Sequence, residues 1–525
     1  VDTKGWAMNL DNSPLKKRES WGTRLGVILA VMGSAVGLGN FLRFPGLAAQ
    51  HEGGAFMIPY FIGLLLLGLP IAWAEWTMGR YGGRKGHNSP PGIFRAIWKS
   101  PLAPYVGALS ALVPVIIYMY YIHVEAWCLQ YAFMYATGAI ADRAPDGAYG
   151  ALLGEVYGDA ADGALFSNIT RTALVFVVLS FLFNFALIYR GVSKGIEWFA
   201  KIAMPALVFC AILILIRVLT LGFTDDVTQK QVADGLGFMW NPNWSSLSNM
   251  QMWIDATGQI FFSLSVGFGL IVTYASYVKK DDDIALSATT SAAGNEFCEI
   301  GLAGMMIVPA AFIFLGEAAA SKIGGSSLGL GFVTLPSVFE QMPGGQFFGF
   351  LFFALLFLAA VTSSLSMLQP SIAMLEEGLG LGRKASVTLL GFITAVGAGY
   401  IGYFSKGAGV LDHTDFWVGN FMLYVLATVL VILFGWVMGI RKGQEELDRG
   451  AEIRIPRFVM VLIKYVSPVY LIVLMILWFW QEAITPKSEG KESRIAALFD
   501  NPRAQMAVGL IIAVTILFMM LVNRA

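Results

Sequence analysis

The sequence predicts an all-α integral membrane protein with about 12 transmembrane helices. Two observations on composition support this fold class: the 525 residues are 57% hydrophobic, and only 13% of them are charged. These values, together with a mean hydropathy of +0.67, exclude most soluble globular classes. The third observation is that apolar runs long enough to cross about 30 Å of hydrocarbon recur along the chain. The clearest runs are Ala55–Ala74, Thr172–Tyr189, Ile202–Phe223, Phe416–Ile440, Phe458–Trp480 and Met506–Val522.

Basic residues next to the first spans indicate the orientation in the lipid bilayer. One group precedes the first span and another lies between the second and third spans, and such clusters stay in the cytoplasm. An even number of spans brings the C-terminus back to the same side. We therefore expect a multi-pass protein of the cell (inner) membrane with both termini in the cytoplasm, and no nucleic-acid partner. The two groups are Lys16, Lys17, Arg18 and Arg24, and Arg80, Arg84, Lys85, Arg95 and Lys99.

Glycine and polar residues interrupt the first and sixth predicted spans. The first contains MGSAVGLGNFLRFP at Met32–Pro45, and the sixth contains GQIFFSLSVGFG at Gly258–Gly269. Gly33 and Gly37 alone could equally form a GxxxG helix-packing motif. Matching interruptions in two halves, however, indicate two inverted five-helix repeats with a binding site at broken helices 1 and 6. The predicted division is a cytoplasmic segment at 1–20, repeats at 21–223 and 245–440, and helices 11 and 12 with a short cytoplasmic tail at 458–525.

Polar side chains accumulate near the middle of four predicted spans. Any single serine or threonine could bond to its own helix, but clusters in four spans favour a cavity inside the helix bundle. Hydroxyl and amide oxygens suit sodium, and an unwound helix offers carbonyls to a cation and N–H groups to a carboxylate. With apolar and aromatic neighbours, this pattern predicts a neutral, zwitterionic amino acid as ligand. The clusters are Ser34 and Asn40, Ser263 and Ser265, Asn295 and Glu299, and Thr362 and Ser363.

Six motifs resemble the neurotransmitter:sodium symporter family, above all its bacterial amino-acid transporters. The match extends from about Arg18 to Val522. It implies sodium-coupled symport of a neutral, hydrophobic amino acid into the cell by alternating access. The motifs are AVGLGNFLRFP (Ala35–Pro45), GGAFMIPY (Gly53–Tyr60), AEWTMGRYGG (Ala74–Gly83), RGVSKGIEWFAKIAMP (Arg190–Pro205), GQIFFSLSVGFG and TSSLSMLQP (Thr362–Pro370).

The resemblance also implies site residues. One sodium ion would be bound by Ala35, Asn40, Ser263 and Asn295 with the substrate carboxylate. A second would lie among Gly33, Val36, Ala359, Thr362 and Ser363. The implied substrate-binding residues are Leu38, Gly39, Ile117, Tyr121, Phe262, Ser263, Ser265, Phe268, Ser363 and Met367.

Other positions match the gates and the anion site of this family. Arg43 and Asp415 match the outer gate, and Arg18, Trp21, Ser276 and Tyr277 match the cytoplasmic gate. Glu377 stands where the family has an aspartate partner for Arg18. Gly37 replaces the aspartate of amine carriers, so the substrate must bring its own carboxylate. Glu299 stands beside the chloride position of chloride-dependent members, near Tyr60, Gln259 and Ser263, which implies chloride independence.

A membrane-embedded sensor that binds an amino acid without transporting it is the alternative function. It predicts an appended signalling domain, whereas three residues follow Val522. An enzyme is not predicted, because no histidine lies beside a plausible nucleophile in the sequence. The three cysteines have no metal-ligand spacing, so sodium is the only ion predicted. The sequence leaves a homodimer open.

Overall fold

The computed structural model describes residues 19–157, 170–221, 226–315, 327–405, 409–485 and 493–524. Within these ranges every regular element is a helix, which confirms the predicted all-α fold class. The predicted cytoplasmic segment 1–20, including Arg18, lies almost entirely outside the described residues.

Twelve helical segments, numbered here spans 1 to 12 in chain order, account for the predicted transmembrane helices. Nine of them are long and apolar enough to cross a membrane as continuous helices of the described chain. Span 1 consists of Arg24–Ala35 and Gly39–Gln50, bent by 47°. Span 4 is the apolar helix Thr170–Tyr189, and span 6 consists of Met250–Leu264 and Leu270–Ala275. The nine continuous helices are Gly54–Arg84, Ala103–Thr137, Val192–Leu221, Ile284–Leu315, Gly345–Gly378, Arg383–Phe404, Gly409–Leu447, Arg457–Ile484 and Pro502–Arg524.

Short helices lie between the spans. Pro90–Ile97 follows span 2, with the Ser89 hydroxyl accepting a hydrogen bond from the Gly92 N–H as an N-cap. Tyr149–Tyr157 follows span 3, Asp226–Trp240 follows span 5, and Leu335–Gln341 precedes span 8. Spans 3 and 8 pack together along much of their length and form one wall of the central site.

The break in span 1 is stabilised by a side chain that takes over a backbone hydrogen bond. The first half-helix ends at Ala35, and Val36 leaves the helical conformation with φ −72° and ψ 88°. The Gly37 N–H then donates to Asn40 Oδ1 at 2.9 Å. Irregular backbone at this depth is tolerated only where such internal partners or a cavity replace the missing helix bonds.

The break in span 6 depends on left-handed backbone. Ser265, Gly267 and Gly269 have φ values of 53°, 83° and 78°. The Gly267 N–H donates to the buried carboxylate of Glu75 in span 2 at 2.6 Å. Glycine suits this conformation because it has no Cβ.

Replacing Gly269 with alanine should lower the thermal stability of the protein markedly. The new Cβ would lie 2.3 Å from Ser110 Cβ in span 3, on backbone with φ +78°. We expect a loss of about 1–3 kcal/mol from the strained backbone, and more from the clash. Thermal unfolding followed by size-exclusion chromatography measures this effect. Gly399→Ala is the control, because its Cβ would meet no atom within 4 Å; equal melting temperatures for the two variants would contradict the prediction.

Candidate functional site

A cavity of about 280 Å³ lies where the two helix breaks face spans 3, 8 and 10. All the predicted substrate-binding residues except Ser263 line it, as do the predicted gate residues Arg43 and Asp415. The structure thus brings together residues that are far apart in the sequence. The predicted substrate-binding residues in the lining are Leu38, Gly39, Ile117, Tyr121, Phe262, Ser265, Phe268, Ser363 and Met367.

Several lining residues were not predicted. Ile117, Tyr121 and Val124 follow the spacing i, i+4, i+7 on one face of span 3, so helical periodicity could have identified Val124. Most of the others belong to apolar stretches that carry no local signal of a site. The residues not predicted include Leu42, Tyr120, Val124, Leu270, Leu328, Leu411 and Asn420.

One end of the cavity is polar. The Ser265 hydroxyl donates to the Ser34 carbonyl at 2.9 Å, and the Ser363 hydroxyl lies 3.2 Å from the same oxygen. Tyr121 lies at the same end of the cavity as Ser363 and Leu38. A Cβ at Gly37 would lie 3.0 Å from Ser363 Oγ, so a larger side chain there would fill this end.

The residues predicted for the first sodium ion form a buried amide and hydroxyl cluster. Asn40 Nδ2 donates to Asn295 Oδ1 at 2.9 Å and lies 3.4 Å from Ser263 Oγ. The Asn295 amide also donates to Ser263 Oγ. Ser263 therefore faces this cluster rather than the cavity, while Ala35 lines the cavity at the end of the first half-helix.

Glu299 lies directly beside that cluster and is completely buried. Its carboxylate accepts hydrogen bonds from Gln259 Nε2 and the Ser263 hydroxyl, and from the Tyr60 hydroxyl at 2.8 Å. Asn40 Nδ2 lies 3.5 Å away. Within the described ranges, no lysine or arginine forms an ion pair with Glu299. Neutral donors only partly offset the cost of burying a carboxylate, so this position favours a nearby cation.

The residues predicted for the second sodium ion converge between spans 1 and 8. The Thr362 hydroxyl donates to the Ala359 carbonyl at 2.9 Å, and Ser363 Oγ lies 3.1 Å from the same carbonyl. Gly33 packs closely here, because a Cβ would lie 3.1 Å from Thr362 Cβ. Val36 ends the first half of span 1.

The two residues predicted for the outer gate, Arg43 and Asp415, share the cavity but do not pair directly. The Arg43 guanidinium lies over the Phe262 ring, 4.5 Å from its centroid. Asp415 instead accepts a hydrogen bond from the Tyr120 hydroxyl at 2.6 Å. Among the described residues, Asp415 therefore has a tyrosine partner where an arginine partner was predicted.

A network around Trp21, which is buried, lies at the end of span 1 that is predicted to face the cytoplasm. Trp21 Nε1 donates to the Tyr274 carbonyl at 2.9 Å, and its ring packs edge-on against the Tyr274 ring. Gln369 Nε2 of span 8 donates to the Tyr277 hydroxyl at 2.8 Å. The Ser276 hydroxyl donates to the Thr273 carbonyl of its own turn at 2.7 Å.

Glu377 has partners that the sequence did not indicate. It accepts the backbone N–H groups of Asn88 at 2.9 Å and Ser89 at 2.8 Å, and it pairs with His87 Nδ1 at 2.5 Å. It therefore holds the turn that leads into the short helix after span 2. Its predicted partner Arg18 lies outside the described residues, so that pairing stays a prediction.

Comparisons with known proteins agree with this architecture. The family model described as "Sodium:neurotransmitter symporter family" matches residues 18–144 and 167–524. An uncharacterized sodium-dependent transporter of Methanocaldococcus jannaschii is 30% identical over 477 residues, which cover 88% of this chain and 90% of the relative. The sodium-dependent serotonin transporter of Drosophila melanogaster is 26% identical, over 88% of this chain and 76% of the relative.

A solved structure gives the same result for the fold. The crystal structure of MhsT in complex with L-phenylalanine superimposes with a TM-score of 0.74 and 30% identity. The match covers 87% of this chain and 99% of MhsT. The chain therefore belongs to the sodium:neurotransmitter symporter family, whose members include sodium-dependent membrane transporters.

Proposed function

We propose that this protein imports a neutral, hydrophobic amino acid by sodium-coupled symport. The observation that carries the proposal is the cavity at the two helix breaks, which is polar at one end and apolar along its walls. The free N–H groups of the breaks suit a carboxylate, and the free carbonyls suit cations. The phenylalanine bound to MhsT supports an amino acid as ligand.

The lining determines which amino acids fit. No carboxylate stands at Gly37, so an amine without its own carboxylate would lack a counter-charge near Ser363. Ile117, Phe262 and Phe268 would surround an apolar side chain, and Met367 gives one wall an adaptable shape. The volume of about 280 Å³ suits one amino acid. Leucine, methionine and alanine are our first candidates, with aromatic amino acids next.

The first sodium ion would bind at the Asn40 and Asn295 amides. In the structure Asn40 Nδ2 donates to Asn295 Oδ1, so the two amides bond to each other. Turning the Asn40 amide over would direct both amide oxygens at one cation, with Ser263 Oγ alongside, and would release the Gly37 N–H from Asn40 Oδ1. The Ala35 carbonyl and the substrate carboxylate would complete the site.

The second ion would use only neutral oxygens. Gly33 and Val36 offer carbonyls from the end of the first half-helix, and Ala359, Thr362 and Ser363 offer oxygens from span 8. Sodium accepts such oxygen ligands. This site would join spans 1 and 8 in the sodium-bound state.

Two sodium ions that enter with each substrate molecule would supply a large free energy for its accumulation. One charge that crosses about 100 mV releases roughly 2.3 kcal/mol. A tenfold sodium gradient adds about 1.4 kcal/mol per ion. Two ions would then supply roughly 7 kcal/mol, enough for about 10⁵-fold accumulation of substrate. The transport cycle would rock spans 1, 2, 6 and 7 against spans 3, 4, 8 and 9.

Uptake of radiolabelled amino acids into proteoliposomes tests the proposal. We expect a neutral, hydrophobic amino acid to accumulate under an inward sodium gradient, but not with potassium, and equally in chloride or gluconate. Substrate binding without accumulation under a verified gradient would instead indicate the sensor. Absence of both binding and uptake for every neutral amino acid would overturn the proposed substrate.

A further inference from the structure

The gate residue Asp415 makes a short hydrogen bond to span 3. The Tyr120 hydroxyl donates to Asp415 Oδ1 at 2.6 Å; Tyr120 is buried and Asp415 is partly buried. Tyr120 and Tyr121 are neighbours in sequence but contact different partners: Tyr121 contacts Ser363, whereas Tyr120 contacts span 10. Span 3 thus contacts the proposed substrate site through one tyrosine and the outer gate through the next.

The backbone of span 10 is adapted to this contact. A Cβ at Gly419 would lie 2.5 Å from Asp415 Oδ1 and 2.7 Å from the Tyr120 hydroxyl. Any larger residue would therefore collide with both bonded atoms. Asn420 adds a second restraint, because its Nδ2 donates to the Asp415 carbonyl at 3.1 Å. These contacts fix the orientation of the carboxyl group.

The second oxygen of Asp415 has capacity for another donor. Its only hydrogen bond within the described residues is from Asn420 Nδ2 at 3.5 Å, the limit of such a bond. Across the cavity, Arg43 Nη1 is buried without a hydrogen-bond partner among the described residues. An unpaired buried donor of a charged group is costly. Arg43 and Asp415 Oδ2 therefore have complementary unmet bonding capacity.

We propose that Tyr120 is a positioning residue of the outer gate, which holds Asp415 by Oδ1 so that Oδ2 is presented to Arg43. Closure then needs a movement of Arg43 from the Phe262 ring toward a carboxylate that is already oriented. This inference rests on the proposed function, since the gate matters only if the cavity holds a transported ligand. Tyr120 itself need not contact the substrate.

The rate at which bound amino acid leaves the protein tests the role of Tyr120 in the gate. Tyr120→Phe removes only the hydroxyl and should speed dissociation of radiolabelled substrate in saturating sodium by about tenfold. Tyr118→Phe is the matched control, because this buried tyrosine of the same span contacts Asn184 rather than span 10. It should dissociate substrate at the wild-type rate.

A double-mutant cycle with Asp415→Asn separates positioning from general packing. If Tyr120 acts through Asp415, the double variant should dissociate substrate no faster than Asp415→Asn alone. If the two substitutions increased the dissociation rate by factors that multiply in the double variant, the inference would be overturned. A wild-type dissociation rate for Tyr120→Phe would also overturn it.

The melting temperatures of the four proteins of this cycle, measured without ligand, test the hydrogen bond independently of transport. The four are the wild type, Tyr120→Phe, Asp415→Asn and the double variant. The decreases in melting temperature caused by the two substitutions should also be non-additive, and additive decreases would overturn the inference. A wild-type protein without sodium-dependent amino-acid binding would count against the proposed function, while this stability cycle would still decide the contact.

Discussion

Replacing Asn40 with alanine is expected to abolish sodium-driven uptake. The amide joins two parts of the site: its oxygen accepts the Gly37 N–H in the helix break, and its nitrogen donates to Asn295. The change therefore removes a proposed sodium ligand and a restraint on the unwound backbone together. Loss of second-shell partners of metal ligands alone costs about 10–100-fold in affinity, and loss of a ligand should cost at least as much. Uptake in proteoliposomes over a range of sodium concentrations measures the effect.

Two variants help to interpret that result. Asn523→Ala changes an asparagine at the far end of span 12, which contacts Tyr105, and should transport normally. Asn40→Asp restores the oxygens but places a second carboxylate near Glu299, so we expect it not to rescue transport. Asn40→Ala protein that stays monodisperse and still transports with the wild-type sodium dependence would contradict the sodium site proposed here.

The helix breaks could be predicted from sequence because glycine and polar residues are costly in a membrane helix without a cavity. The side-chain directions around the break in span 6 could not. Ser263 and Ser265 are only two residues apart, yet left-handed backbone at Ser265 ends the helix between them. As a result, the Ser263 hydroxyl bonds to Glu299, whereas the Ser265 hydroxyl bonds to the Ser34 carbonyl. Helical periodicity does not extend across such a break.

Partners of ionisable groups were the least predictable part of the site. Glu75 stood in a quoted motif as a carboxylate inside an apolar span, which is by itself a signal of function or internal pairing. Its partner, the Gly267 N–H, is free to donate to Glu75 only because span 6 unwinds at this point. Likewise, Glu377 bonds to the backbone N–H groups of Asn88 and Ser89, directly before a short helix that apolar-run analysis does not detect. Tertiary contacts between distant segments decide these pairings.

Glu299→Ser is expected to make transport depend on chloride. The carboxylate bonds to Gln259 and Tyr60 and lies beside the amides proposed to hold a sodium ion. Its removal would leave that ion without a fixed counter-charge in a buried site, where unpaired charge is strongly unfavourable. Uptake in gluconate should therefore fall at least tenfold, a loss of about 1.4 kcal/mol. Chloride, which can occupy the space of the lost carboxylate and accept from the same donors, should restore most of it.

The neighbouring carboxylate provides the control for this prediction. Glu296 accepts a hydrogen bond from the same Tyr60 hydroxyl at 2.7 Å and one from Asn295 Nδ2 at 3.4 Å, but within the described residues it has no hydrogen bond to Asn40 or Gln259. If the charge must stand among Ser263, Gln259 and Asn40, where Glu299 lies, Glu296→Gln should transport equally well in gluconate and in chloride. Chloride dependence in both variants would mean that net charge alone matters, and full activity of Glu299→Ser in gluconate would mean that the carboxylate does not replace an anion. A strict chloride requirement of the wild-type protein would contradict the proposed role of Glu299 directly, because the fixed carboxylate would then fail to supply the counter-charge.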